Sequence, residues 1–590
     1  MNFFIVAFFI FSNDFIVFTL NSLKRITGKE IIEEEIKPIE LYLLKNEFES
    51  FQIGIKTENN WEAEFVLSKS LASYLKIYQE YFIPIDTPSF ALGKSKPESC
   101  EKVPDPLIPI EKRITLKKGI NIFWFDVYVS ENEEKEEVEG EINLKIKDKN
   151  LNFLIPVKLN ILKINLPKIP SFNTLFVFWL YPIFERQPNV DKYLITRLYY
   201  EEALLHKINP SSLPLDIRPK TKELRRNTTG NQQEEISLPI YTADFDVIYS
   251  TGRLSDNVEY YRNKNLKIIE VPLFAQKGLL FFQWKNYLEI FSDYFLNKNF
   301  NYIVDYSFDE PNPNHYDLIK EWAYNLHKYT KIKNLVTFNN FYFPKVDERL
   351  LDDGTGHSSV DIWVPKFSLH SYFKNFFQER KEKGEEIWVY QAGVTDSFTP
   401  KWLLDYPLIE TRISFWLFFL FDIKGMVYWG IDNWQKNVWQ DPKVIIDGKV
   451  YNGDGYLLYN GSEIGIDKPI PSIRLKTIRD GIEDYEYLKI LRGIDYYSYK
   501  NLLQKIASDW YNWTNNGDSL ILIKTEIWQK LKSLIKEKKA HLLEEKTTFL
   551  SQKIFTTKKL FDPTGKRIKK MGKGVYFIKD KNSFKLVKIN

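Results

Sequence analysis

Two adjacent carboxylates, Asp309 and Glu310, end the apolar run Tyr302–Phe308 and are followed at once by Pro311. An amphipathic segment from about Asp317 to Tyr329 comes next. Strand, acidic pair, prolyl turn and helix together describe one unit of a (β/α) barrel, whose chemistry sits at the C-terminal ends of its strands. Strand alternation places Asp305, Ser307 and Asp309 on one face and Tyr306 and Phe308 on the other. Glu310 joins the cleft only if the chain leaves β geometry there, and Pro311 favours that departure. Two carboxyl groups held close in unlike surroundings are the raw material of glycoside chemistry. The rival reading is an acidic pair placed to favour a helix N-terminus.

Further candidates come from the ends of other strands. Tyr390 and Gln391 close the run WVYQ, and Tyr428 and Trp429 close YW; Tyr390 is the first choice for a hydroxyl inside the cleft. Trp179, Trp363, Trp429 and Trp434 are candidate walls of a sugar pocket, since an aromatic ring offers an apolar face. Asn339, with Asn340, and Asp432, with Asn433, follow strands and carry groups able to bind sugar hydroxyls, although Asn also serves turns. The glycines around Asp454 read as a tight turn, because no P-loop Lys-Ser/Thr follows them.

The elements that must hold these residues occupy 590 positions, enough for two or three domains. A formal charge of only +4 and the lack of a dense basic stripe argue against nucleic acid as a partner. Cys100 is the sole cysteine, so no intrachain disulfide and no multi-thiolate site can form. The six histidines are scattered without ligand spacing, and no metal or cofactor is expected. Met1–Phe11 is apolar but too short to span a bilayer as a mature helix, and residues 1–15 are read as an export signal segment.

Residues 16–166 read as short strands broken by polar turns, the pattern of a β-sandwich. Strands and helices then alternate over 167–495. Eight candidate strands, Thr174–Leu180, His206–Leu213, Ile268–Pro272, Tyr302–Phe308, Leu335–Phe338, Val360–Val364, Ile387–Gln391 and Met426–Gly430, predict a (β/α)8 TIM-type barrel with the acidic pair closing the fourth. A helical extension over 496–550 and a short β tail over 551–590 complete the chain. The charged run Arg474, Arg479, Asp480, Glu483 and Asp484 reads as an ion-paired helix start that staples the barrel's end.

The segment Tyr428–Leu488, with YWGIDNW, Asp441-Pro442, GDGYLLY and PSIRLKTIRDGIEDYEYL, resembles the C-terminal half of the glycoside hydrolase family 123 catalytic domain and its relatives called domain of unknown function 4091. Ile39–Ile55 is similar to the Asn-Glu…Phe-Gln signature of that family's N-terminal β-sandwich, and Asp309-Glu310-Pro311 falls where the family keeps its catalytic pair. The resemblance covers roughly residues 15–495. It implies an exo-acting hydrolase that removes a terminal β-linked N-acetylhexosamine, N-acetylgalactosamine in the founding activity. The tail, notably Gly574–Lys579, resembles the sorting domains of some secreted bacterial proteins, which implies a secreted or cell-surface location.

Adjacency of the two carboxylates fits that implied activity. Ordinary retaining glycosidases hold two carboxyls about 5–5.5 Å apart across the scissile bond, which neighbours with Cα atoms ~3.8 Å apart cannot easily do. If the sugar's own 2-acetamido oxygen attacks the anomeric carbon, the protein needs only one acid, Glu310, and one carboxylate, Asp309, to orient the amide. The expected partner is a glycan or glycoconjugate. The alternatives are a glycosidase of other specificity and a non-catalytic carbohydrate-binding protein on the same scaffold.

Overall fold

The computed structural model describes residues 15–28, 36–93, 101–111, 113–211, 235–300, 302–340 and 346–557, with shorter pieces at 30, 32, 96–98, 217, 219–228, 560–561, 574–580 and 583–589. Residues 1–14 of the expected signal segment and Cys100 lie outside the described residues, while Phe15 already belongs to the first strand. The chain divides into two compact units, residues 1–525 and 526–590, so the boundary falls inside the predicted helical extension.

The first unit opens with a β-sandwich. One five-stranded sheet runs in the order Phe15–Asn21, Glu47–Thr57, Gly119–Val129, Leu75–Pro84, Lys102–Ile110; the other runs Ile39–Lys45, Leu151–Asn165, Glu137–Ile146, Trp61–Leu67, Arg113–Leu116. The strand Gly119–Val129 shows why both faces are buried. Phe123, Phe125, Val127 and Val129 pack into the core between the sheets, while Trp124 and Asp126, pointing the other way by the strand's two-residue period, are buried too.

Asp126 meets the second half of the unit. The helix Ile473–Ile494 sends Lys476 and Arg479 onto it at 2.8 Å each. Burial opposes the Asp126 charge, but the two cations outweigh it and hold the carboxyl well below the usual range. Arg474 pairs with Asp105 at 3.0 Å, and Arg412 is shared between Glu49 and Asp484 at 3.0 and 2.7 Å. Glu483 pairs with Lys207 at 2.6 Å and accepts from the Phe48 amide. The expected staple therefore exists: Arg479 pairs with Asp480 inside the helix at 2.8 Å, and the set fastens the helix both to the sandwich, through Asp105 and Asp126, and to the strand-and-helix half, through Arg412 and Lys207. Removing one partner from so buried a set costs about 3–5 kcal/mol, because the other charge is left stranded.

The second half is a parallel sheet of seven strands: β1 (Asn173–Phe176), β2 (Ile269–Glu270), β3 (Ile303–Phe308), β4 (Lys333–Phe338), β5 (Ile362–Pro365), β6 (Glu386–Gln391) and β7 (Gly425–Tyr428). They pair in the order β1-β7-β6-β5-β4-β3-β2. Helices Lys192–Leu205, Phe281–Asn297, Tyr316–Tyr329 and Leu408–Leu420 alternate with them.

Over its described residues, 206–211, the expected strand His206–Leu213 does not form, so seven of the eight expected strands are seen among the described residues. His206 instead caps the preceding helix, and only an isolated parallel bridge joins Phe176 to Pro210; residues 212–213 lie outside the described residues. A side chain occupies part of the missing strand's place. Asn209 Oδ1 accepts from the Lys267 and Ile268 amides at 2.9 and 2.8 Å, and its Nδ2 donates to the Ile268 carbonyl at 3.1 Å. A carboxamide can mimic a peptide group in this way, so main-chain groups beside β2 are satisfied without a ladder.

In the second unit the tail is a three-stranded antiparallel sheet of Leu560–Phe561, Gly574–Asp580 and Ser583–Ile589. Among the described residues no helix is long and apolar enough to cross a membrane.

Candidate active site

The site begins with a break in β3. Pairing with β4 is in register through Tyr306↔Leu335 and resumes at Phe308↔Val336, so Ser307 is passed over. That irregularity undoes the simple alternation. Asp305 and Ser307 face the helices: Asp305 Oδ2 accepts from the Trp322 indole at 2.7 Å, and Ser307 donates to Asn334. Tyr306 faces the sheet's interior, where it packs on the cluster containing Leu335, Trp388 and Tyr390. Asp309 follows Tyr306, not Asp305, contrary to the expected facing.

The chain then leaves β geometry as Pro311 foretold. Glu310 sits at φ 45, in the left-handed region, where a β-carbon is strained and where a residue before proline is further restricted. The amides freed from the ladder are taken by side chains on either side. Asp309 N–H donates to Gln276 Oε1 at 2.7 Å, and Glu310 N–H donates to Thr337 Oγ1 at 3.1 Å.

The two carboxylates are held differently. Asp309 Oδ1 accepts from the Tyr306 hydroxyl at 2.8 Å and the Thr337 hydroxyl at 2.7 Å, while Oδ2 has no hydrogen-bond partner among the described residues. Glu310 Oε1 accepts from the Tyr390 hydroxyl and lies 3.5 Å from Lys366 Nζ; Oε2 accepts from Asn339 Nδ2 at 2.5 Å. Burial first, then the Glu310 charge, push the Tyr390 phenol well above its usual range, and burial with Asp309 does the same to Tyr306. Both tyrosines are therefore hydroxyl donors at any ordinary pH. Asp309 is exposed and Glu310 partly so, which leaves the pair open to a ligand.

The other candidates divide. Tyr390 and Asn339 reach Glu310. Trp179 is 45% exposed, and its indole donates to the Trp429 carbonyl at 3.1 Å. Trp429 is half-buried, with its own indole on Asp454 at 3.0 Å. Three residues lie away from any cleft. Trp363 is fully buried between Phe338 and Phe376, with its indole on Glu385 at 2.6 Å. Trp434 is buried with its indole on the Leu458 carbonyl, and Tyr428 is buried among Phe176, Trp402 and the Asp454 turn. Strand alternation turns Trp363 to the helix layer, the loop of Trp434 folds back beneath the surface, and Tyr428, the last residue of β7, is covered by the Asp454 turn, whose Gly455 amide donates to its hydroxyl.

Asp432 is buried as well, yet it acts on an exposed neighbour. Its two oxygens accept from the Trp179 and Leu180 amides at 2.8 and 2.9 Å. Leu180 lies at φ 62, ψ −38, and Tyr181 N–H reaches back to the Trp179 carbonyl at 2.7 Å, a strained three-residue turn. Burial pushes the Asp432 carboxyl up to about 7. Asp454 plays a similar part under Gly393 and Trp429, which supports the reading of its glycines as a turn.

Four residues at the site were not singled out in the sequence: Gln276, Tyr306, Thr337 and Lys366. Tyr306, three residues before Asp309, lay within reach of a closer reading. The others come from three different loops and strand ends and carry no local signal. No group of His, Cys, Asp and Glu able to hold a metal ion occurs among the described residues.

Residues 249–491 match the family model described as glycoside hydrolase 123, catalytic domain. No curated protein matches the chain. Among solved structures, a family 123 glycoside hydrolase from Clostridium perfringens, described for glycolipid glycan hydrolysis, is 13% identical and aligns over 90% of this chain and 100% of its own, with a TM-score of 0.62. An endo-β-1,4-mannanase from Thermotoga petrophila is 10% identical over 54% of this chain and 77% of its own, but at a TM-score of 0.30 it adds nothing to the assignment. Residues 249–491, which carry the acidic pair and Tyr390, thus match the model of a glycoside hydrolase 123 catalytic domain, and the chain shares the fold of a family 123 glycoside hydrolase.

Proposed function

We propose that the chain is a retaining, exo-acting hydrolase of terminal β-linked N-acetylhexosamine, N-acetylgalactosamine favoured, working through the substrate's own acetamide. The observation that carries this reading is the unequal holding of two adjacent, solvent-accessible carboxylates. Asp309 has one oxygen pinned by two hydroxyls and the other free, the arrangement needed to receive an amide N–H and to balance a developing positive charge. Glu310 is the residue that gives a proton to the leaving oxygen and then takes one from water. Tyr390, now donating to Glu310, is positioned to turn its hydroxyl to the acetamide oxygen when a sugar enters.

The choice of N-acetylgalactosamine rests on the family resemblance and not on a contact to a 4-hydroxyl. Chromogenic β-N-acetylgalactosaminide, β-N-acetylglucosaminide, β-galactoside and β-glucoside substrates decide it. Hydrolysis confined to the acetamido sugars is the expected result. Cleavage of the plain galactoside or glucoside would require another division of labour between Asp309 and Glu310, and no hydrolysis at all would leave a carbohydrate-binding protein. We also propose export, which the apolar N-terminal run and the sorting-like tail support; fractionation of the native host tests it.

A further inference from the structure

Three aromatic rings stand together on the surface beside the loops that follow β5 and β6. Tyr372 is 65% exposed and Tyr511 is 49% exposed. Phe398 lies between them, stacked on Tyr511 with ring centres 4.1 Å apart and edge-on to Tyr372 at 6.0 Å. Large rings left in water forgo the free energy of burial, and a cluster of them on a soluble protein marks a surface that meets something.

The ground beneath these rings is built to stay still. In the Phe398 loop, Asp396 Oδ1 accepts the Phe398 and Thr399 amides at 2.9 and 2.6 Å and meets the buried Lys401 ammonium at 3.1 Å. Trp513 donates its indole N–H to the Phe398 carbonyl at 2.9 Å. Tyr511 sits at the tip of the small hairpin Ala507–Asp509 and Asn512–Trp513. Beside it Trp510 is fully buried, stacked on Phe367 and Phe421 at 5.4 Å each, and it donates to His370 Nδ1 at 3.1 Å. With its neighbour fixed inside, Tyr511 is held outside. Rings fixed before a ligand arrives lose little freedom on binding it, which is what a recognition surface requires.

Two of the three rings are tied by short segments of chain to residues of the candidate site. The helix Phe367–Tyr372 starts directly after Lys366, whose ammonium lies 3.5 Å from Glu310, so only about 9 Å of helix separates that ammonium's residue from Tyr372. Phe398 belongs to the loop that leaves β6, the strand of Tyr390. Aromatic faces flanked by phenol hydroxyls suit pyranose rings, which offer an apolar face of C–H groups and a polar rim.

We propose that Tyr372, Phe398 and Tyr511 form a glycan-binding shelf that holds the part of the substrate chain remote from the bond being cleaved. This inference rests on the reading of the chain as a glycoside hydrolase and deepens it, by making the substrate an oligosaccharide rather than a lone terminal sugar.

The test uses the full chain carrying Glu310→Gln, so that binding is read without turnover. Calorimetric titration with a pentasaccharide of β-1,4-linked N-acetylglucosamine, and with one of β-1,4-linked glucose, measures the affinity. Tyr372→Ala and Tyr511→Ala together are expected to weaken binding of at least one pentasaccharide about tenfold or more. Tyr511→Phe, which keeps the ring, should retain it. In the Glu310 background the same alanine variants should hydrolyse a chromogenic monosaccharide substrate at an unchanged rate. Pentasaccharide binding that the alanine variants leave unaltered overturns the shelf, as does failure of the full chain to bind either pentasaccharide. Failure of the N-acetylhexosaminidase reading shows separately, as absent hydrolysis of the chromogenic acetamido sugars.

Discussion

The hydroxyl of Tyr306 donates to Asp309 Oδ1 at 2.8 Å, although residues three apart on a regular strand point to opposite faces. The irregular pairing around Ser307 brings them together, and the left-handed Glu310 then turns its own side chain to Tyr390, Lys366 and Asn339. A bulged strand end thus supplies both carboxylates at one place, which a straight strand could not do.

Glu310→Gln is expected to lower turnover about 10²–10⁴-fold on substrates with poor leaving groups, the usual scale of a general acid. Activated aryl leaving groups need less protonation, so their loss should be smaller. Rates across a leaving-group series check this; equal losses, with glycosylation shown to limit the rate, would take the acid role from Glu310.

Asp309→Asn removes the charge that would orient the acetamide. With the native residue, replacing the acetyl hydrogens by fluorine should slow the reaction stepwise as the oxygen becomes a poorer nucleophile. The variant should flatten that series or lose activity altogether. The first-formed product should keep the β configuration by NMR, and a glycosyl adduct on any Asp or Glu would sink the mechanism.

Asp432→Ala should act through Trp179. It removes the acceptor of two amide hydrogen bonds that hold a strained turn, so the exposed indole loses its fixed position. A rise in KM of about tenfold, with kcat changed far less, is the expected split if Trp179 stacks on the sugar. A matching loss in Trp179→Ala, with no further loss in the double variant, would show that the two act as one unit.

His327 predicts an alkaline loss of stability. Its ring is bonded to Asp353 at 2.7 Å and Asp361 at 3.0 Å, and although burial alone would lower its pKa, the two carboxylates raise it to about 9. Against about 6.5 for an unfolded histidine, the folded state binds the proton more tightly. The stabilisation is therefore complete below pH ~6.5 and is lost as pH rises through about 9. Thermal melts of the native chain and of His327→Gln should converge toward alkaline pH; a constant gap between them would contradict this.

Sequence alone singled out the acidic pair and much of the frame that carries it. The apolar run ending in Asp309-Glu310-Pro311 fixed a strand, its end and a turn, because proline and paired charges cannot continue a central strand. Short strands broken by polar turns over residues 16–166 marked the β-sandwich, and Arg474 through Asp484 marked a stapling helix. Tertiary structure alone decided the rest. Which face Tyr306 and Asp309 share depends on how β3 slips against β4, a register set by a neighbouring strand and not by local pattern. Trp363 and Trp429 look alike as residues at or after strand ends, yet one is sealed behind the sheet and the other is only half-buried. Asn209 stands in for strand hydrogen bonds only because β2 happens to lie beside it. Thr337, Gln276 and Lys366 meet the acidic pair from separate loops and strand ends. Contacts of this kind join residues far apart in the chain, and their free energy exists only once the sheet has brought them within reach.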